Sequence, residues 1–202
     1  MHRGLFGGSL VALLLMFSSP AAAASASETV QQRHAAVLEL VERGADDATL
    51  ARSLDELIDY RWLAEASLGG PEHYASVCAE HCAEFEALLT KLVRVNYLRL
   101  VRSAKHHPLE VVGEVEGKGG LIKVSTELTI QKSGEKSGDQ RGRTQQLRVD
   151  YVLHRVDGRW QVRDLITDGV SLVKTYRHEF HTLARKEGMT GILARLRARL
   201  ES

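Results

Sequence analysis

Between residues 109 and 167 apolar side chains recur at every second position, whereas on either side of that block they recur at helical spacing. Ile122, Val124, Thr126, Leu128 and Ile130 fall on one side of one run. Leu147, Val149, Tyr151 and Leu153 fall on one side of the next, with Arg148, Asp150 and His154 on the other. Successive strand residues point to opposite faces, so this alternation specifies a sheet with one apolar and one polar face. Antiparallel sheets tolerate one wet face, so helices are expected to cover only the other. Four strands are predicted: 109–116, 121–131, 144–155 and 159–167. Gly117 to Gly120, the polar Gly/Ser-rich stretch 132–143 and Asp157-Gly158 supply the turns.

Helical patterns flank this block. Ser27 is placed to cap a first helix from Glu28 to about Arg43, with Gly44 as its stop. Asp46-Asp47 open a second, which continues with or without a bend through Trp62 to Leu68. Gly69-Gly70 break the chain, and Pro71 sits at the first turn of a long third helix, about Glu72 to Arg102. After the sheet come helices at about 170–186 and 190–200, separated by Gly188. Helices, then a meander, then helices is an α+β order. The expected fold is a curved four-stranded antiparallel sheet packed on one side by helices. This is the cone of NTF2-like and cystatin-like domains, with an apolar cavity between the layers.

Residues 1–26 have the form of a secretory signal peptide: Arg3, an apolar run from Leu5 to Phe17, then small residues around Ala22-Ala23-Ala24. Residues 27–202 are expected to form a single domain. Lys+Arg 27 against Asp+Glu 26 leaves a net charge of +1, which argues against nucleic acid as a partner. Cys78 and Cys82 lie on the stripe Cys78, Cys82, Phe85, Leu89, Leu92, which predicts packed thiols. A disulfide, or a metal site with His73 and His81, is the alternative. His34, His154, His178 and His181 are expected at the surface.

Three segments then carry a family resemblance. Phe85-Glu86-Ala87-Leu88-Leu89 with Tyr97 is one, and Leu147-Arg148-Val149-Asp150-Tyr151 is the second. The third is the stretch from Trp160 through Asp164, Gly169, Val170, Ser171, Leu172 and Val173 to Tyr176, Arg177 and Phe180. Together they resemble the MlaC, or toluene-tolerance, family of periplasmic phospholipid-binding auxiliaries of ABC transport. The segment Gly70 to Ala83, with its two cysteines and two histidines, departs from the family pattern.

The resemblance implies a periplasmic carrier that shuttles phospholipid between outer and inner membranes for an MCE-type ABC transporter. Its partners would be that inner-membrane complex and an outer-membrane lipoprotein–porin complex. The carrier would act as a monomer, with phospholipid as cargo and no cofactor. Two acyl chains free in water cost on the order of 20 kcal/mol, so such a carrier needs a dry pocket. Expected lining residues are Val124, Leu128, Val149, Tyr151, Val162 and Ile166 from the sheet. From the helices they are Tyr60, Phe85, Leu89, Leu92, Tyr97, Val170, Val173, Tyr176 and Phe180. A hopanoid or other lipid is an alternative cargo. The strand parity also aims Asp164 inward, which leaves an NTF2-like enzyme with Asp164 as general base as another reading. No hydrolase or metalloprotease motif supports catalysis. A basic face formed by Arg177, Lys186, Arg195, Arg197 and Arg199 is a candidate surface for an anionic membrane or a transporter subunit.

Overall fold

The computed structural model describes residues 24–103, 109–131 and 144–201. In order, the elements are α1 (Ala26–Glu42), α2 (Asp47–Asp55), α3 (Tyr60–Ser67), α4 (Pro71–Cys78), a 3-10 turn (Ala79–His81) and α5 (Cys82–Ser103). Then follow β1 (Glu110–Glu116), β2 (Ile122–Gln131), β3 (Thr144–Val156), β4 (Arg159–Thr167), β5 (Val170–Ser171) and α6 (Leu172–Leu200). The sheet is an antiparallel meander in the order β1-β2-β3-β4-β5. It has five strands rather than the expected four. Asp168 and Gly169 both adopt positive φ, so the chain reverses in two residues and Ser171 pairs back onto Ile166 before α6 begins.

The apolar parity of β2 and β3 holds. Val124 lies opposite Tyr151, Thr126 opposite Val149 and Leu128 opposite Leu147, and all of these are buried. On β4 the parity breaks. Leu153 pairs with Val162 but Val152 pairs with Asp164, so Arg163 is an extra, bulged residue. Beyond the bulge Leu165 takes the inward place opposite Tyr151, and Ile166 pairs with Asp150 on the polar face. The expectation that Ile166 lines the interior is therefore corrected. A period-two reading cannot register one inserted residue.

The same strand interrupts the second helix. Val162 N–H donates to Leu57 O at 2.7 Å, and Asp59 N–H donates to Val162 O at 2.9 Å. Residues 57–59 thus add to the edge of β4 and separate α2 from α3. Asp59 then caps α3, accepting from Trp62 N–H at 3.1 Å, and pairs with the bulged Arg163 at 3.1 Å.

The third helix is also broken. α4 ends at Cys78, Ala79 turns the chain at φ 46, and α5 restarts at Cys82. Cys78 and Cys82 form a disulfide with Cα atoms 4.8 Å apart, which corrects the expected packed thiols and removes them as metal ligands. An intact helix rarely offers disulfide geometry, and the break supplies it. The Tyr74 hydroxyl adds a second tie, donating to Cys82 O at 3.1 Å. α5 is the central helix, with Phe85, Leu89, Leu92, Val93, Tyr97, Leu98 and Val101 buried. It touches α1, α2, α3, α4, α6 and β2.

Two N-terminal expectations change. Ser25, not Ser27, caps α1, in a capping box with Glu28. Ser27 instead ties α1 to β1, its N–H and hydroxyl both donating to the Glu114 carboxylate. Ala24 to Ala26, the last residues of the expected signal, are part of the folded unit, and Trp160 Nε1–H donates to Ala24 O at 3.0 Å. The rest of that signal, residues 106–108 and the 132–143 loop lie outside the described residues. His34 is not a surface residue: it is 2 % exposed, and both ring nitrogens lack a hydrogen-bond partner. Burial lowers its pKa to about 4. His178 and His181 are exposed, and His154 is half-buried.

Two outcomes follow from this packing. Closing so short a loop stabilises by about 2 kcal/mol in the chain-entropy account. Replacing both Cys78 and Cys82 by Ala should lower the melting temperature by about 4–8 °C; calorimetry showing no shift would discount the bridge. The unfolded His34 binds a proton near its ordinary pKa of 6.5, and the folded one only near 4. The stability it contributes is therefore complete above pH 6.5 and is lost as pH falls towards 4. His34→Leu should remove a loss on the order of 3 kcal/mol over that window, read as the difference between urea melts of the two proteins.

Candidate functional site

Val93, Tyr97 and Leu100 stand four and three residues apart on α5, which places them on one side of the helix. They face the end of β4 and the start of α6 across an open cleft of about 390 Å³. Leu165 and Thr167 of β4, Val170 of β5, and Leu172 and Thr175 of α6 complete its walls with Asn96. No charged side chain lines it. The β4 bulge creates this arrangement, because it turns Leu165 and Thr167 inward in place of Asp164 and Ile166.

Tyr97 belongs both to the cleft and to the core. Its hydroxyl and that of Tyr151 on β3 interact with each other, and neither meets another polar partner. Burial pushes the Tyr97 phenol up to about 12 and raises that of Tyr151 as well. These two hydroxyls lie between the central helix and the sheet. The Tyr60 ring lies under the Arg94 guanidinium, 5.3 Å from its centre.

The residues expected to line a pocket are mostly side chains of one packed core. Phe85, Leu89, Leu92, Val124, Leu128, Val149, Tyr151, Val162, Val173, Tyr176 and Phe180 are buried in a continuous apolar cluster. Phe180 stacks on Tyr176 at 5.3 Å and meets Phe85 edge-on at 5.5 Å. Tyr60 is half-buried beside that cluster. Val170 is 62 % exposed at the rim of the cleft. The described residues enclose no cavity of the kind expected: the spaces they form are open clefts. Val93 and Leu100 were legible as neighbours of Tyr97 at helical spacing. Leu165 and Thr167 were hidden by the bulge.

Asp164 does not stand free as a base. It accepts from Ser171 Oγ–H at 2.5 Å and from Val173 N–H at 3.1 Å. Ser171 in turn accepts from Lys174 N–H at 3.1 Å. The carboxylate thus holds the first turn of α6, where anions are favoured. The basic face is largely internally clasped. Arg195 and Arg199 both pair with Glu179, at 3.3 and 3.0 Å, and Arg197 pairs with Glu84. Among the described residues no cluster of His, Cys, Asp or Glu could hold a metal ion, and no helix is long and apolar enough to cross a membrane.

These features define an α+β domain with one helix-covered sheet face and an uncharged apolar cleft at the seam. Residues 26–198 match the MlaC protein family, and the chain belongs to it. A solved phospholipid-binding protein from Ralstonia solanacearum, in complex with a phospholipid, has the same fold at a TM-score of 0.66. The two are 17 % identical over 88 % of this chain and 98 % of that one. A variant of Rd1NTF2 matches at a TM-score of 0.34 and 14 % identity, over 69 % of this chain and 96 % of its own. No curated protein matches the chain.

Tyr151→Phe should change the stability of the lipid-free protein by less than about 1 kcal/mol, because the contact it removes is offset by the hydroxyl that no longer has to be desolvated. A urea midpoint shifted by more than that would reveal a stronger partner for that hydroxyl.

Proposed function

We propose that this protein is a periplasmic phospholipid carrier that loads through the cleft between α5 and the β4–β5–α6 corner. The observation that carries the reading is the uncharged cleft of about 390 Å³ whose wall includes Tyr97. Membership of the MlaC family supports it independently. The cleft lies towards the small end of ligand pockets, which span roughly 300–1,000 Å³. Two full tails therefore require α5 and the start of α6 to part from the sheet. Parting exchanges side-chain contacts in the core for contacts with hydrocarbon of the same kind. The tails leave a bilayer of similar apolarity, so the transfer is close to neutral.

Separation of α5 from β3 frees the Tyr97 and Tyr151 hydroxyls to donate to ester or phosphate oxygens near the glycerol of the cargo. This gives them polar partners other than each other. Export by the N-terminal signal places the carrier between two membranes. The chain contains no Gly-x-x-x-x-Gly-Lys-Ser/Thr phosphate loop. Direction is then imposed by an inner-membrane MCE/ABC transporter, with an outer-membrane lipoprotein–porin complex at the other end. Asp164 serves the fold as a helix cap, and the general-base reading finds no support in its occupied oxygens.

Mass spectrometry of organic extracts tests the proposal. Protein purified without detergent should carry about one phospholipid per chain. Leu100→Glu puts a charge at the cleft wall, where desolvating it opposes loading, and should cut bound lipid at least tenfold while circular dichroism stays unchanged. Lipid-free wild-type protein, or full loading of the variant, would exclude this route.

A further inference from the structure

A second cleft, of about 310 Å³, lies between α6 and the corner joining α3 to α4. It differs from the first in its charge. Arg177 and His181 stand four apart on one face of α6, and His73 approaches from α4. Leu68, Val77 and Ala184 supply an apolar floor, and no acidic side chain lines the cleft.

The corner is built for this convergence. Gly69 and Gly70 both sit at φ 109, which L side chains rarely adopt. Gly69 lies beside both side chains: a Cβ there would sit in ordinary contact, 3.5 Å from His73 Cβ and 3.9 Å from Arg177 Nη2, so it is the positive φ that calls for glycine. Arg177 Nη2–H donates to Gly69 O at 3.1 Å, which orients the guanidinium at the cleft. Its other N–H groups have no partner among the described residues. The disulfide and the Tyr74–Cys82 bond tie the far end of α4 to α5, which holds the His73 wall in place.

We infer that this cleft is a separate binding site for a small amphipathic anion. Arg177 would grip a phosphate or carboxylate head through paired N–H donors, with His73 and His181 beside it. Leu68, Val77 and Ala184 would take the first few carbons. The space suits a head with a short apolar portion rather than a whole diacyl lipid. The inference does not depend on how the main cargo is carried.

Hexyl phosphate, inorganic phosphate and hexanol, each titrated into the full-length protein and followed by amide and imidazole NMR, test it. Hexyl phosphate should shift the His73, His181 and Gly69 signals and bind at least tenfold more tightly than the other two. Arg177→Gln should weaken it at least tenfold, and Ala184→Phe, which fills the floor, should do the same without removing a charge. Binding that survives both substitutions, or shifts centred on Tyr97 and Leu100 instead, would overturn the site. Phosphatidylglycerol and phosphatidylcholine vesicles distinguish the source of the anion. Arg177-dependent sedimentation with the former alone assigns it to a membrane headgroup. Hexyl phosphate binding without sedimentation assigns it to a soluble amphiphile, and either result upholds the site.

Discussion

The burial of one helix against one sheet face organises this protein. α5 presents Phe85, Leu89, Leu92, Val93 and Tyr97 inward, and β2 and β3 present Val124, Leu128, Val149 and Tyr151. Each such side chain contributes about 1.5–3 kcal/mol when fully buried. The remaining helices close round this contact: α1 over β1 and β2, α3 and α6 against β4. The core is thus the interface of two layers, and a ligand that enters it must compete with that interface. The Tyr97 and Tyr151 hydroxyls lie on this contact.

β4 is where local irregularity shapes the seam cleft. Its bulge turns Leu165 and Thr167 to the interior and sends Arg163 to Asp59. Its edge is covered by residues 57–59 over one half and by β5 over the other. Neither half is left as an exposed pairing edge. The short β5 delivers Ser171 to Asp164, and that contact starts α6 at a fixed angle beside the cleft. Bulges commonly re-aim side chains beside binding sites, and this one brings the cleft wall into being.

The two clefts differ in their chemistry. The seam cleft is lined by no charged side chain, and the corner cleft has Arg177 and two histidines. Both borrow α6, one at its first turn and the other a turn further on. The helix continues past a kink at Gly188, where positive φ redirects it. The segment that departs from the family pattern, Gly70 to Ala83, provides one wall of the corner cleft together with the disulfide that holds it.

The alternation of β2 and β3, the helical stripe of α5, and the turns at Gly117–Gly120 and Asp157-Gly158 could all be read from residue order. Each depends on a period or a turn chemistry that a few consecutive residues express. The motif around Trp160 to Phe180 pointed to the family for the same reason. Tertiary structure alone decided what depends on distant partners. Val162 drew residues 57–59 out of a helix, a single bulge reversed the parity of Asp164 and Ile166, and the bond between Cys78 and Cys82 formed because the helix broke between them. His34 went inside because the layer around α1 closed over it. Periodicity says which side of an element is apolar. Whether that side encloses a space or is filled depends on how two layers meet, and no single segment carries that information.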